Sequence, residues 1–426
     1  MSKISISNLV KEVKSSFKTD LLKYDKKRAG SIDTETYATA CLAIFYFKWP
    51  SLLSYERHKQ RKHLRDNVSH LFGLEECPSD TQMRERLDEI DSVEFRQPFR
   101  KIFTMLQRNK SLEEYIFLED SYLISIDGTG YFSSPKVHCE NCCEKNHKDG
   151  SKTYHHQMLG ASIVHPDKKV VIPFAPEAIL KQDGDTKNDC ERNASKRFLK
   201  DLRREHPHLK IIIIEDGLAS NAPHLKLLKE LKMHYIIGAK ETDHKFLFDW
   251  VAHSETQRHE YVDKHGTKHE FLFVNNVPLN DSNFKFEVNF LEYWETKKDG
   301  KKQHFSWVTD IPLTKGNIFK IMKGGRARWK IENETFNTLK NQGYNFEHNY
   351  GHGKNHLSTN MAMIMFLAFL IDQAQQLCCK LYQALRIYMH TYRDLWEMLR
   401  SIVQIFVFKT FEDLYRRILA SDNSSP

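Results

Sequence analysis

Hydrophobic and polar positions change rhythm along the chain. Up to about residue 118, apolar residues sit at helical spacings among Lys, Arg, Tyr and Phe, which predicts a helical region. One of its helices, in DTQMRERLDEID, is expected to take Asp80 as its N-cap. The rhythm then shifts to short β runs: YLISIDGTG, HHQMLGASIVH and KKVVIPFAP. DCERNASKRFLKDLRREH reads as a helix, with Asp189 as its N-cap and Glu191 as first-turn charge complementing the helix dipole. LKIIIIEDGLAS is an uninterrupted apolar run, as expected of a strand covered on both faces. The helix APHLKLLKELK and the strand HYIIGAK follow.

From 245 to 313 aromatic and charged residues alternate between Gly turns, which predicts an antiparallel β insertion. After Leu313 the chain reads as helical to Arg417. The expected fold class is α/β. A mixed-sheet core spans 119–244, with a Cys/His-rich insertion at 137–156, and the β insertion at 245–313 interrupts it. A further core helix follows in 314–354, between helical regions at 1–118 and 355–426.

Composition narrows the class. At 426 residues the chain has room for two or three domains of about 150 residues each. A net charge of +8 is compatible with a nucleic-acid partner. The first residues lack the continuous apolar run of a signal peptide, so a cytoplasmic location is expected. The longest apolar stretch, Met361 to Ile371, is too short to span a bilayer, so it is expected to be a buried helix and no membrane partner is expected.

Candidate chemistry lies at strand ends. Asp127 and Asp216 each close a predicted strand, where ligands of open α/β sheets gather. Either could equally start a turn, because Asp-Gly is a common turn pair. Two such carboxylates could hold divalent cations for phosphoryl transfer. RWKIENETFNTLK carries two glutamates. At 100° per residue Glu332 shares a quadrant with Trp329, Phe336 and Leu339, so it is expected on the core side, one turn below Arg328. There it would bind metal or pair with Arg328. Glu334 is expected to be a surface partner of Lys330.

With these motifs in order, SIDGTG, IIIIEDGLAS and RWKIENETFNTLKNQGYNFEHNYGHG, the sequence resembles bacterial insertion-sequence transposases of the DDE class over about residues 75 to 375. The β insertion before the glutamate helix resembles the hairpin-forming cut-and-paste branch. The resemblance implies an RNase H-like catalytic core interrupted by a β insertion. It also implies an Asp127–Asp216–Glu332 triad with two Mg²⁺ or Mn²⁺ ions. Double-stranded DNA would be the partner, at the element's terminal inverted repeats and at the target, with a homodimer in the DNA complex. Water would cut the element's end, and the freed 3′-hydroxyl would attack the opposite strand or target DNA.

Within the branch's Tyr-Arg-Glu-Lys signature, Arg328 and Glu332 match at the usual separation. Lys340 lies one residue late, and Gly325 stands at the tyrosine position. Arg326 and Arg328 would then clamp phosphate bidentately. In relatives an insertion aromatic stacks on a flipped base. The candidates here are Phe305 and Trp307, which could equally be core residues. The resemblance assigns 1–118 to DNA binding and 355–426 to dimerisation. Two other readings stay open: a nuclease that cuts without joining, and a DNA-binding protein with a vestigial acidic site.

VHCENCCEKNHKDGSKTYHHQ adds a second candidate centre. Cys139, Cys142, Cys143 and His147 could close a structural Zn²⁺ site, with His155 as a substitute for Cys143. The alternative is free thiols in a polar loop.

Overall fold

The computed structural model describes residues 4–28, 30–184 and 187–420. Its centre is one twelve-stranded sheet. The strands are β1 (Ile116–Leu118), β2 (Ser121–Ser134), β3 (Cys143–Asn146), β4 (Lys152–Val164), β5 (Ile172–Pro173), β6 (Glu177–Ile179), β7 (Ile211–Glu215), β8 (His234–Gly238), β9 (Gln257–Val262), β10 (Lys268–Pro278), β11 (Glu287–Thr296) and β12 (Lys302–Thr309). The main path runs β3-β4-β2-β7-β8-β12-β11-β10-β9, with β1 on β2 and with β5 and β6 on β4.

The four isoleucines of β7 are buried, and the strand lies parallel between β2 and β8, which accounts for its unbroken apolar run. β4 runs antiparallel to β2 on the other side, giving a mixed RNase H-like core. The 245–313 segment opens with a helix, Lys245–Ala252, and then supplies β9 to β12. These four strands form an antiparallel meander that joins the core sheet through β12 on β8, with Trp307 opposite Gly238. The insertion therefore extends the core sheet instead of packing on it as a separate layer.

Both ends of the chain are helical. The helix Thr34–Tyr46 packs against Leu357–Cys378. Lys48 and Asp372 form a fully buried ion pair there, and Tyr344 donates its hydroxyl to Asp372 at 2.6 Å. Asn67 reaches the carbonyls of Val403 and Phe406, so the N- and C-terminal helices share one core.

Several local expectations change. Ser79, not Asp80, caps Asp80–Asp88 through a capping box with Gln82. KKVVIPFAP yields only the two-residue β5. Asp189 lies inside the helix Lys187–Glu205, because that helix begins before it. The apolar stretch at 361–371 belongs to a 22-residue helix, long enough to cross a membrane, but 83% of its most apolar window is buried in the protein.

Candidate active site

Strand register brings the two aspartates together. β2 and β7 pair in parallel from Tyr122 opposite Ile211 to Ser125 opposite Ile214, a constant offset of 89 residues. Asp127 and Asp216 each follow the last of these pairs by two residues; Asp216 lies just past the end of β7, whereas Asp127, expected to close its strand, sits inside β2, which runs on to Ser134 and pairs Asp127 with Gly160. Both aspartates line one small cleft, together with Glu191 and Asn221. Asp216 follows the last residue of β7 and caps the turn Gly217–Ala219, accepting from the Leu218 amide at 3.0 Å.

The glutamate arrives on an irregular helix. Ile318–Arg326 is α-helical, Ala327–Trp329 tightens to 3₁₀, Ile331–Phe336 widens to π, and Asn337–Asn341 returns to α. Three contacts seat it on the sheet. Ser125 donates its hydroxyl to the Arg328 carbonyl at 2.9 Å. The hydroxyls of Ser162 and Thr335 meet at 3.2 Å in a buried position. Phe336 lies so close to Gly160 that a Cβ there would stand 2.6 Å from its Cε1.

Arg328 joins the carboxylates. One guanidinium nitrogen is 2.7 Å from Glu332 Oε1 and 3.4 Å from Asp127 Oδ2. Burial pushes the Asp127 carboxyl up to about 7; Arg328 and the Gly128 amide oppose the rise, and Glu332 and Glu191 add to it. Glu191 is therefore a fourth acidic member of the site. A Cβ on Gly128 would lie 3.0 Å from its carboxyl carbon, so the glycine makes room for it. Sequence pattern had assigned Glu191 only to the helix dipole, because nothing in one sequence shows that its helix crosses Gly128. Behind Asp216, Glu215 and His224 form a buried pair at 2.6 Å. Burial alone would lower the His224 pKa, but Glu215 outweighs it and the net shift is upward.

The helical-wheel expectation for Glu332 fails in one respect. Its side chain is 50% exposed, not core-facing, and Trp329 is exposed as well, whereas Phe336 and Leu339 are buried. The cause is the π turn. Its i to i+5 closure holds one more residue than an α turn, so a 100° step does not carry phase across it. The Arg328–Glu332 pair exists, but it lies at the cleft mouth. Lys330 does not pair with Glu334 as expected: it is buried and donates to the Lys168 carbonyl at 2.6 Å.

A larger cleft continues from Asp216 past Arg328 and Trp329 to Arg326, Phe305 and Trp307. Trp307 is only 4% exposed, and a Cβ on Gly325 would stand 2.3 Å from its indole nitrogen. Gly325 thus lets the helix rest on Trp307, which is packed as core. Phe305 is half-buried and stacks on Trp307 with ring centres 5.7 Å apart. Arg326 lies over the Phe305 ring, ion-paired with Glu295 and bonded to Gln303 at 3.3 Å. Lys340 stands apart from the arginines, paired with Glu347 at 2.9 Å and lining a different depression beside Gly130.

The Cys/His ligand set also needs correction. Cys139 and Cys142 converge with His156 and His352, not with Cys143 and His147. Cys143 Sγ instead donates toward the Ile179 carbonyl, and His147 bonds Thr153. His155 faces Cys143 across β3 and β4 and is not among the four.

No curated protein matches the chain. The family model described as the transposase DDE domain matches residues 113–371, from the strand before Asp127 to the helix beyond Glu332. That is more than half of the chain, and the protein belongs to this family of DDE transposases.

Proposed function

We propose that this transposase cuts DNA at the ends of its own element and joins the freed 3′ ends to target DNA, with Asp127, Asp216 and Glu332 as the catalytic carboxylates. The observation that carries this is the shared register of Asp127 and Asp216, with Arg328 bridging Asp127 to Glu332. The donor set fits hard divalent cations, because it offers only oxygen; burial first, and the neighbouring Glu332 and Glu191 carboxylates second, already lift the Asp127 proton affinity. Two bound Mg²⁺ or Mn²⁺ ions would make water or a 3′-hydroxyl a better nucleophile and neutralise the leaving oxygen.

The chain's own residues do the rest. Asp127 would hold the cations as the carboxylate, its proton passing to solvent. Glu332, now paired with Arg328, would be one of the residues holding the cations. Arg328, released from both carboxylates, is placed to take a phosphate oxygen. Phe305, half-buried and lining the cleft with Arg326 over its ring, is the insertion aromatic better placed to meet a base than the buried Trp307.

The wide π turn also bears on Lys340. It holds one residue more than an α turn, so Lys340, eight residues after Glu332, returns near the phase of a seventh residue in an α-helix. Lys340, paired with Glu347 in a depression apart from Arg326 and Arg328, would meet DNA backbone there. Two ends must be joined in one reaction, so the working form on DNA is a homodimer. The test is a strand-transfer assay on DNA carrying the inverted repeats that flank the gene, with Mg²⁺ or Mn²⁺. Joined products are expected. Cleavage alone would make the chain a nuclease, and binding alone would make the acidic site vestigial.

A further inference from the structure

Cys139, Cys142, His156 and His352 draw their ligand atoms within 4.8 Å of one another. The two sulfurs are 3.9 Å apart, well beyond a disulfide bond. His156 Nε2 lies 3.4 Å from each sulfur, and His352 Nε2 lies 3.5 Å from Cys142 Sγ. A tetrahedral zinc with Zn–S of 2.3 Å and Zn–N of 2.0–2.1 Å separates sulfur from sulfur by about 3.8 Å and sulfur from nitrogen by about 3.6 Å. Four of the six edges thus already match that tetrahedron to within about 0.2 Å, and the other two are no longer than 4.8 Å. Cys142, His156 and His352 are buried, and Cys139 is partly so. The other ring nitrogen of His352 is buried without a hydrogen-bond partner, so the polar contacts of that ring all lie on the cluster side.

The ligands come from three places. Cys139 and Cys142 sit in the loop after β2, His156 sits on β4, and His352 precedes the helix Leu357–Cys378. The His352 segment is the one that leads away from the glutamate helix. Beside the cluster Asn141 donates to the Asn355 carbonyl at 2.9 Å. Asp88 accepts the backbone amides of residues 354 to 357 from the other side. Phe132 packs on His352 with ring centres 4.5 Å apart.

We infer that these four residues bind one structural Zn²⁺, which staples the insertion after β2 to the segment that follows the glutamate helix. All four tetrahedral positions are filled by protein, so the site has no open position for catalysis. Binding converts the two thiols to thiolates and releases two protons to solvent, with no redox change. This centre is distinct from the carboxylate cleft, and its soft sulfur ligands select zinc over magnesium.

The test is metal analysis of the full-length protein purified under reducing conditions. About one zinc per chain is expected. Replacement by Co²⁺ should give tetrahedral ligand-field bands with thiolate-to-cobalt charge transfer. Cys143→Ser and His147→Ala should keep the zinc, whereas Cys142→Ser and His352→Ala should lose it. His352→Cys should retain metal with stronger thiolate charge transfer, which separates ligation from mere folding defects. Folded protein that contains no zinc and takes up no cobalt would overturn the inference. So would a Cys139–Cys142 disulfide, or full zinc retention by His352→Ala. None of these readouts depends on DNA cleavage, so the proposed activity can fail while this stands.

Discussion

The carboxylate cleft at Asp127 and the Cys/His cluster beyond Ser134 both depend on β2, yet they are assembled in opposite ways. In the cleft, oxygens crowd at a half-open mouth: Asp127 is 24% and Glu332 50% exposed, and the Arg328 guanidinium stands between them. In the cluster, two sulfurs and two imidazoles meet largely out of solvent. The first arrangement leaves room for DNA and for exchange of ligands. The second holds its four ligand atoms within 4.8 Å of one another. The two groupings beside one strand thus differ in donor chemistry and in burial.

Single substitutions should separate the two regions, and the largest effect belongs to the cleft. Asp127→Asn is expected to lower metal-dependent cleavage of element-end DNA by about 10³-fold or more, judged from the effect of losing one electrostatic contact in other active sites. It should leave zinc content unchanged. Loss of zinc in this variant would mean that the two centres are not independent.

Next is the seat of the glutamate helix. Gly160→Ala forces a methyl group against Phe336, and overpacking of that kind costs about 1–3 kcal/mol. Thermal unfolding should show the loss, with reduced cleavage because Glu332 is displaced. Ser162→Ala removes the hydroxyl contact with Thr335 and should cost about 1 kcal/mol by the same measurement.

Smaller effects come from pH. The Asp127 carboxyl titrates at about 7 in the folded protein, above the ordinary carboxylate value near 4. The folded state therefore holds the proton more tightly than the unfolded state. That contribution to stability is present below about pH 4 and is lost as pH rises through about 7. A bound cation reverses the balance, because it favours the ionised form. The rise in Tm on adding Mg²⁺ should therefore be greater at pH 8 than at pH 6. Glu191→Gln removes one of the charges that raise Asp127, so the acid limb of Mg²⁺ binding should move to lower pH. An unchanged acid limb would remove Glu191 from the site.

The contrast between the regions also shows what one sequence can reveal. Asp127 and Asp216 were legible because each follows an apolar run, but only Asp216 lies at a strand end; β2 continues through Asp127 to Ser134, along the antiparallel partner β4 that no local pattern announces. The transposase resemblance was legible from three short motifs in order, and the family match spans them. Glu332 was selected over Glu334 on a helical wheel that placed it toward the core, whereas its side chain is at the cleft mouth. A π turn leaves no mark in residue spacing that a uniform 100° step can detect. The Cys/His cluster was half legible. Cys139 and Cys142 form a local CxxC, but His352 joins them only through tertiary folding of distant segments. Lys330 was read as surface charge because its burial depends on where the helix meets Lys168.

The central claim is that Glu332, across Arg328 from Asp127, completes the catalytic carboxylates, and that Glu334 does not. The most direct test compares Glu332→Gln and Glu334→Gln in Mn²⁺-dependent cleavage of DNA bearing the element's ends, with DNA binding measured in parallel. The account predicts that Glu332→Gln binds DNA but does not cut, while Glu334→Gln cuts at close to the wild-type rate. Cleavage by Glu332→Gln, or its loss in Glu334→Gln alone, would contradict it.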